Sequence, residues 1–276
     1  MSQPLKNINI VTLAVNVPGP LAAKRWLNLG ATVTKVEPPD GDPLERYCPD
    51  WYQEVNAGQH IQRLNLKTEE GKKALSQLFL SADLLLTAQR TKALDNLGLD
   101  WASLQQNYPQ INHIAIVGYP APNDNEAGHD LTYQAKLGLL KDGNMPSTLI
   151  SDMAGAEMAA LEGLALLMES KETKKGQKKV IALSESAKYM AQPLKYELTN
   201  EGGLLAGTLP EYAIYETKKG SVALAALELH FSARLKAHLE LETLNAESLS
   251  QVFKQNTASE WVTWAKERDI PLAEIK

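Results

Sequence analysis

The chain has 276 residues, of which 44% are hydrophobic, and a formal net charge of −5. This length allows a sizeable core in one large domain or two unequal ones. The acidic balance excludes general electrostatic attraction to nucleic acid or to anionic membranes. The single cysteine, Cys48, excludes an intrachain disulfide and a cysteine-based zinc site.

No apolar run approaches the roughly 18–20 residues of a membrane span, and the first residues lack a signal-peptide core. We therefore expect a soluble, cytoplasmic protein with neither a nucleic-acid nor a membrane partner.

The first third of the chain alternates strands and helices. Apolar patterning predicts a strand at 8–15, a helix at 21–29 and a second strand at 32–36. Pro20 suits the first turn of that helix, and Gly30 suits the position after its last residue. Strand–helix–strand with a short second loop is a βαβ unit, which implies parallel pairing and a right-handed crossover.

The alternation continues to about residue 183. The pattern predicts further helices at 68–80, 94–97, 101–108 and 153–168, and further strands at 82–86, 111–118 and 180–183. Such alternation is typical of an open α/β sheet that binds ligands beyond the carboxyl ends of its strands. A glycine-containing link at 201–210 then precedes strand-like runs at 212–215 and 221–227. These runs predict a smaller α+β unit.

Two segments are weak candidates for phosphate binding. The first strand–helix turn, residues 17–22, has one glycine where a dinucleotide fingerprint needs three. The lysine-rich run at 171–179 is predicted to be a solvated face, and a phosphate-binding role is the less favoured alternative.

Two titratable side chains are the strongest catalytic candidates. His129 lies in a polar loop after a predicted strand, and Asp152 opens a long apolar helix 22 residues beyond Asp130. Together they can face each other across a cleft, as proton-transfer chemistry requires. Each also has a simpler interpretation, because loop histidines are usually solvated and an aspartate before a helix is often a cap.

The order and spacing of several short segments resemble CoA-transferase family III, which includes the α-methylacyl-CoA racemases. The resemblance extends from about residue 5 to about residue 270. It is carried by segments at 18–23, 29–39, 64–71, 94–99, the Gly-His-Asp motif at 128–130, and segments at 152–155, 175–177 and 210–215. It implies a large Rossmann-like domain with an open parallel sheet and a small α+β domain. We expect the large domain at 1–190, a linker at 191–206, the small domain at 207–260 and a tail at 261–276 that returns towards the large domain.

The resemblance also implies a function and site residues. In the racemases of this family, the residues that match Asp152 and His129 are the two acid/base groups, and Glu228 matches a glutamate that supports the histidine. The predicted reaction is therefore inversion of the α-carbon of a 2-methylacyl-CoA. Coenzyme A is expected as a co-substrate, and its expected contacts are Arg90, Pro18, Gly19 and Lys35. No tightly bound cofactor and no metal are expected. The family also implies an interlocked homodimer.

Two alternatives stay open. In the transferases of this family, the residue matching Asp152 is a nucleophile that carries the acyl group and then CoA. The chain could also be a catalytically inactive homologue that acts as a binding or partner subunit. Residues 56–59 lack the family's two basic residues, segment 88–92 keeps only Arg90, and the chain ends short of a C-terminal part found in relatives. These losses favour the inactive alternative, whereas the retained His129, Asp152 and Glu228 favour an enzyme.

Overall fold

The computed structural model describes residues 2–276. They form two compact units, with the boundary between Ala191 and Gln192. The first contains a six-stranded parallel sheet, and the second contains a three-stranded antiparallel sheet. The predicted fold class, a Rossmann-like parallel-sheet domain with a small α+β domain, is confirmed. No helix in the described part of the chain has both the length and the apolarity needed to cross a bilayer.

The parallel sheet of the first unit has the order β3-β2-β1-β4-β5-β6. Its strands are β1 (Asn9–Thr12), β2 (Thr32–Glu37), β3 (His60–Arg63), β4 (Leu84–Thr87), β5 (Asn112–Val117) and β6 (Lys178–Ala182). Strand addition reverses direction between β1 and β4, which are adjacent in the sheet. In open α/β sheets, ligands bind at this switch point, beyond the carboxyl ends of the strands.

Nine helices connect these strands or follow them in the described part of the first unit. They are α1 (Pro18–Asn28), α2 (Pro43–Tyr47), α3 (Pro49–Asn56), α4 (Glu69–Phe79), α5 (Thr91–Asn96), α6 (Trp101–Asn107), α7 (Asp130–Lys136), α8 (Ile150–Thr173) and α9 (Leu183–Met190). Side-chain caps define three of the starts, and Asp42 Oδ1 supplies the one at α2 by accepting from Leu44 N at 2.9 Å. Thr68 Oγ1 accepts from Gly71 N at 3.2 Å, and Asp100 Oδ1 accepts from Ser103 N at 2.9 Å.

The 24-residue helix α8 packs closely against α1. The indole Nε1 of Trp26 donates to the backbone oxygen of Ala160 at 3.0 Å. Gly163 makes room for the same ring, because a Cβ there would lie 2.3 Å from an indole carbon. Ala156 and Ala159 are buried in the same core. Small residues on this face therefore let α8 approach α1 closely, and this contact fixes where its first turn lies.

The second unit packs helices on its antiparallel sheet. Its elements are α10 (Gln192–Lys195), β7 (Tyr212–Glu216), β8 (Ser221–Ala225), α11 (Leu229–His238), α12 (Ala246–Phe253), α13 (Ala258–Lys266) and β9 (Leu272–Glu274). The strand order is β7-β8-β9. Trp261 of α13 packs edge-on against Phe253 of α12, and its Nε1 donates to Phe253 O at 2.7 Å. These aromatic contacts build a core that belongs to this unit alone.

Two expected boundaries differ from the structure. Residues 261–276, expected as a tail, instead complete the second unit, since β9 pairs with β8. Trp261, Ala265 and Ile270 are buried in its core, and that burial holds the segment in place. The linker expected at 191–206 contains α10 and a turn closed by the bond from Leu205 N to Leu198 O at 2.9 Å.

Candidate active site

A cavity of about 640 Å³ lies at the carboxyl edge of the parallel sheet. Its walls come from the chain just beyond β1, β4 and β6 and from the end of β5. The loop between β5 and α7 and the helices α2, α3, α7 and α8 contribute the rest. The chemistry-bearing side chains that line it are Tyr47, Cys48, Arg90, Glu126, His129, Tyr133 and Asp152. The switch point of the sheet is therefore occupied by a pocket that carries several titratable groups.

His129 lies immediately before α7, at its N-cap position, with an extended backbone. The cap is made by its backbone and Thr132: His129 N donates to Thr132 Oγ1 at 3.1 Å, and Thr132 Oγ1 donates to His129 O at 2.7 Å. The imidazole is exposed and lines the cavity. It is therefore accessible to a bound molecule, as the sequence predicted for a loop histidine.

Asp152 lies in the first turn of α8 and lines the same cavity. Burial raises the pKa of its carboxyl to about 7, with the negative charge of Asp130 as the second cause. The helix N-terminus favours the ionised form, so burial and the neighbouring charge outweigh it. A carboxyl with this pKa can accept or donate a proton near neutral pH.

Tyr133 is a cavity residue that sequence analysis missed. Its ring fits against Gly118 and Gly128, since a Cβ at either position would lie within 2.6 Å of the ring or its hydroxyl. Burial raises the pKa of this phenol to about 12, so the hydroxyl stays protonated and can donate. Its spacing of four residues from His129, one helical turn, is the signal that could have identified it.

Of the predicted coenzyme A contacts, Arg90 and Pro18 line the cavity. Arg90 is exposed, directly follows the loop beyond β4, and has no ion-pair partner among residues 2–276. Gly19 does not line the cavity, because it is buried against Ala14. A Cβ at Gly19 would lie 2.1 Å from the Ala14 Cβ, so its role is to let α1 approach the chain after β1.

The predicted cofactor contact of Lys35 is corrected by the structure. Its side chain is fully buried, and its Nζ lies 2.6 Å from Asp42 Oδ2 and 3.1 Å from Glu37 Oε1. It also donates to Asn56 Oδ1 at 3.0 Å. An ammonium group with three internal oxygen partners has no donor left for a ligand phosphate. Lys35 and Glu37 lie two residues apart on one strand, so their side chains are on the same face of the sheet. This spacing is the sequence signal that could have indicated an internal ion pair.

The Lys35 ion pair supports the cavity wall indirectly. Asp42 Oδ1 accepts from the backbone N–H groups of Asn16 and Leu44, each at 2.9 Å. Asn16 has a φ of 66°, and it lines the cavity. The Tyr47 hydroxyl donates to the Asn16 side chain. The carboxylate of Asp42 thus holds the left-handed residue at the cavity edge, and sequence analysis found neither Asn16 nor Asp42.

Glu228 belongs to the second unit. It is exposed and lies at the N-cap position of α11, where its backbone oxygen accepts from Phe231 N at 2.9 Å. Its side chain does not cap the helix, and its contact with His129 stays a prediction.

Among residues 2–276, no group of three or more His, Cys, Asp and Glu side chains is arranged to hold a metal ion.

Comparison with known sequences identifies relatives of two enzyme types. The family model for CoA-transferase family III matches residues 5–276. The chain is 34% identical over 217 residues to a cinnamoyl-CoA:phenyllactate CoA-transferase from Clostridium sporogenes, a match that covers 69% of this chain and 52% of that enzyme. The chain thus spans about half of that relative's length. It is 27% identical over 289 residues to an α-methylacyl-CoA racemase from Mus musculus, covering 93% of this chain and 74% of that protein.

Solved structures share the fold. A hypothetical protein from Mycobacterium tuberculosis superposes with a TM-score of 0.86 at 21% identity, covering 99% of this chain and 85% of that one. A CAIB/BAIF family protein from Brucella suis superposes with a TM-score of 0.84 at 21% identity, with 100% and 85% covered. At this identity the likeness establishes the architecture and leaves the activity to the site itself.

The raised pKa of Asp152 predicts a pH-dependent effect of Asp152→Asn on stability. A group whose folded pKa lies above its unfolded value stabilises the fold at low pH, and this contribution is lost as the pH rises through about 7. Between about pH 5 and pH 8.5, the free energy of unfolding of Asp152→Asn should therefore rise relative to wild type, by about 1–3 kcal/mol. Urea unfolding at the two pH values measures it.

Asp100→Asn is the matched control for this experiment. Its cap bonds to Ser103 lower the pKa of Asp100, so its ionised carboxylate stabilises the fold. Removing that charge should destabilise the protein at neutral and alkaline pH. A stability difference between Asp152→Asn and wild type that stays constant, or shifts in favour of wild type, between about pH 5 and pH 8.5 would contradict a raised pKa.

Proposed function

The chain belongs to CoA-transferase family III, and from that premise we propose that it acts on acyl-CoA thioesters as a racemase of 2-methylacyl-CoA. The observation that carries this proposal is the presence of His129 and Asp152 in the wall of one cavity. The pKa of about 7 at Asp152 supports it, because inversion needs one group that accepts a proton and one that donates at the same pH.

The proposed reaction moves one proton on each face of the α-carbon. The deprotonated member of the His129–Asp152 pair removes the α-proton, and the C–H electron pair moves onto the thioester oxygen to give an enolate. The protonated member then donates to the opposite face of the carbon, and the enolate electrons form the new C–H bond. One turnover exchanges the protonation states of the two residues, and the reverse direction uses them in the opposite roles.

A second candidate is CoA transfer, favoured by the 34% identity to a CoA-transferase. The ionised Asp152 carboxylate would attack the thioester carbonyl, break the C–S bond and release CoA as a thiolate, leaving an acyl–aspartyl anhydride. The thiolate would then attack the aspartyl carbonyl, release the acyl group as its carboxylate and form an aspartyl-CoA thioester. An incoming carboxylate would reverse these two steps. This route needs the nucleophilic form of Asp152 and makes little use of His129.

The two chemistries are separated by solvent exchange. With a 2-methylacyl-CoA in D₂O and no second carboxylic acid, the racemase should incorporate one deuteron at the α-carbon and invert it. Asp152→Asn and His129→Ala should each lower the inversion rate by about 10²-fold or more, because each removes one of two proton-transfer groups. Proton NMR and chiral analysis of the released acid measure exchange and inversion.

The transferase gives the opposite pattern. Asp152 would gain a hydroxylamine-sensitive mass shift, exchange would be absent, and His129→Ala would retain activity. If acyl-CoA binds but neither exchange nor covalent capture is observed, both chemistries are contradicted. That result would support a binding or partner subunit.

Coenzyme A binding is proposed to use Arg90 and the loop at 15–18. Arg90 is an exposed cation at the cavity without an ion-pair partner among the described residues, and a phosphate group suits it. Arg90→Ala should weaken coenzyme A binding by about 1.5–3 kcal/mol, since a charge-assisted contact is lost. Calorimetry measures the affinity.

Arg25 provides the control for that measurement. It is also an exposed arginine of the first unit, on α1, but it pairs with Glu157 at 2.6 Å and does not line the cavity. Arg25→Ala should leave the affinity unchanged. Absence of binding at millimolar coenzyme A would overturn the assignment.

The oligomer is proposed to be an interlocked homodimer in which Glu228 of one protomer supports His129 of the other. Large apolar side chains on one segment of the first unit are exposed, including Leu161 and Met168 of α8 and Tyr189 and Met190 of α9. Exposed apolar side chains are typical of an interface where they form one contiguous patch. A stable dimer of interlocked chains should bury well over about 1,600 Å².

Mixed protomers test this arrangement. Co-expressed His129→Ala and Glu228→Ala chains should recover about a quarter of wild-type activity, because half of randomly paired dimers are mixed and each has one intact site. Each variant expressed alone should be inactive. Sedimentation that shows a stable monomer, or mixtures no more active than the single variants, would contradict the shared site.

A further inference from the structure

The carboxylate of Asp130 joins the two helices that carry the candidate acid/base pair. It is 4% exposed and lies in the first turn of α7, directly after His129. Its Oδ1 accepts from the backbone N–H groups of Ser151 at 2.6 Å and Asp152 at 3.2 Å. These are first-turn donors of α8 that have no partner inside the helix.

The cap comes from outside α8 because its own N-cap residue cannot supply one. Leu149 occupies that position and has no side-chain cap. The second oxygen of the Asp130 carboxylate, Oδ2, accepts from Gln134 Nε2 at 2.5 Å. The same Gln134 amide also donates to Thr148 O at 3.2 Å. Gln134 is fully buried. The position of the carboxylate and the entry of the chain into α8 are therefore fixed together.

We propose that Asp130 is a positioning residue that acts through Asp152, holding the Asp152 carboxyl in the cavity wall beside His129 by capping the first turn of α8. This inference rests on the proposed function for its catalytic meaning. Its structural content, that one buried carboxylate sets the place of Asp152, stands separately. The Asp130 carboxylate is turned towards the α8 backbone and Gln134, so it is not itself a proton-transfer group.

The charge of Asp130 acts on Asp152 as well. The titratable and charged groups around Asp152 are Asp130 and Tyr133 from α7, Tyr47 from α2, and the other cavity residues Cys48, Arg90, Glu126 and His129. Among these, Asp130 contributes a negative charge that raises the pKa of Asp152, second to burial. The cap thus places Asp152 and also helps to keep its carboxyl partly protonated near neutral pH.

Two substitutions separate the charge of Asp130 from its hydrogen bonds. Asp130→Asn keeps an acceptor oxygen of similar reach but loses the charge, whereas Asp130→Ser shortens the side chain and withdraws the cap. The carboxyl resonances of aspartate-¹³C-labelled protein are followed through a pH titration without substrate, and Asp152 is assigned by its absence in Asp152→Asn. Because no turnover is needed, this result is independent of whether the proposed reaction occurs.

In wild type, Asp152 should titrate near 7. Asp130→Asn should lower that midpoint by up to about one unit and leave it above the usual aspartate range, since burial remains. Asp130→Ser should lower it further, because the loosened first turn lets water reach the carboxyl. Where the exchange reaction is present, its rate should fall by about tenfold or more in Asp130→Ser and by less in Asp130→Asn.

Asp100→Asn removes the charge of a helix cap remote from the cavity and should leave the Asp152 midpoint unchanged. An unchanged or raised midpoint in both Asp130 variants would overturn the proposal. If Asp130→Ser does not fold, Asp130→Asn tests the charge alone, and the double variant Asp130→Ser with Leu149→Ser, which gives α8 an N-cap residue of its own, tests the cap: it should fold, and failure to fold would overturn the proposal. Loss of exchange in every variant and in wild type, with the midpoint shifts present, would instead reject the proposed reaction and keep the role of Asp130.

Discussion

The packing of α8 against Trp26 is the contact on which the rest of the site depends. The indole of Trp26 donates to a backbone oxygen of α8, and Gly163 leaves the space that the ring occupies. This contact carries the first turn of α8 to the sheet edge, where Asp152 lines the cavity. Apolar and small residues further along the helix supply the packing.

The first turn of α8 carries the carboxyl on which both proposed chemistries depend. A carboxyl group that is half-buried and held near a second acidic group exchanges protons near neutral pH, and when ionised it is a desolvated nucleophile. The relatives include both a CoA-transferase and a racemase. His129 and Asp152 line the same cavity, and under the proposed function the difference between the two reactions depends less on the aspartate than on this imidazole.

Sequence patterns predicted the parts of the fold that are locally determined. The strands β1, β2, β4 and β5 were predicted because their short apolar runs are bounded by clear turn residues. The strand β3 was not, because His60–Arg63 is exposed and is ordered only by pairing with β2. β9 likewise depends on pairing with β8. Both derive their structure from neighbours that are distant in sequence.

The site was predicted to a similar extent and for similar reasons. His129 and Asp152 were proposed because their residue types and their places relative to predicted elements carry chemical meaning, and both line the cavity. The assignment of Lys35 as a ligand contact was wrong because its partner Asp42 lies beyond the end of the strand. There, residue spacing in the sequence does not predict which side chains meet. The capping of α8 by Asp130 spans a separation of 21 residues, and no local pattern reports such a bond.

The buried Lys35–Asp42 pair has a consequence for the response to ionic strength. Salt screens exposed charges over a Debye length of about 8 Å at physiological concentration, but it hardly reaches a pair that water does not contact. Both side chains are fully buried, so the wall that holds Asn16 in its left-handed conformation keeps its shape in concentrated salt. Arg90 is exposed, and its attraction for an anionic ligand is screened. Ionic strength can thus tune how strongly a ligand is drawn into the cavity while the shape of this wall stays constant.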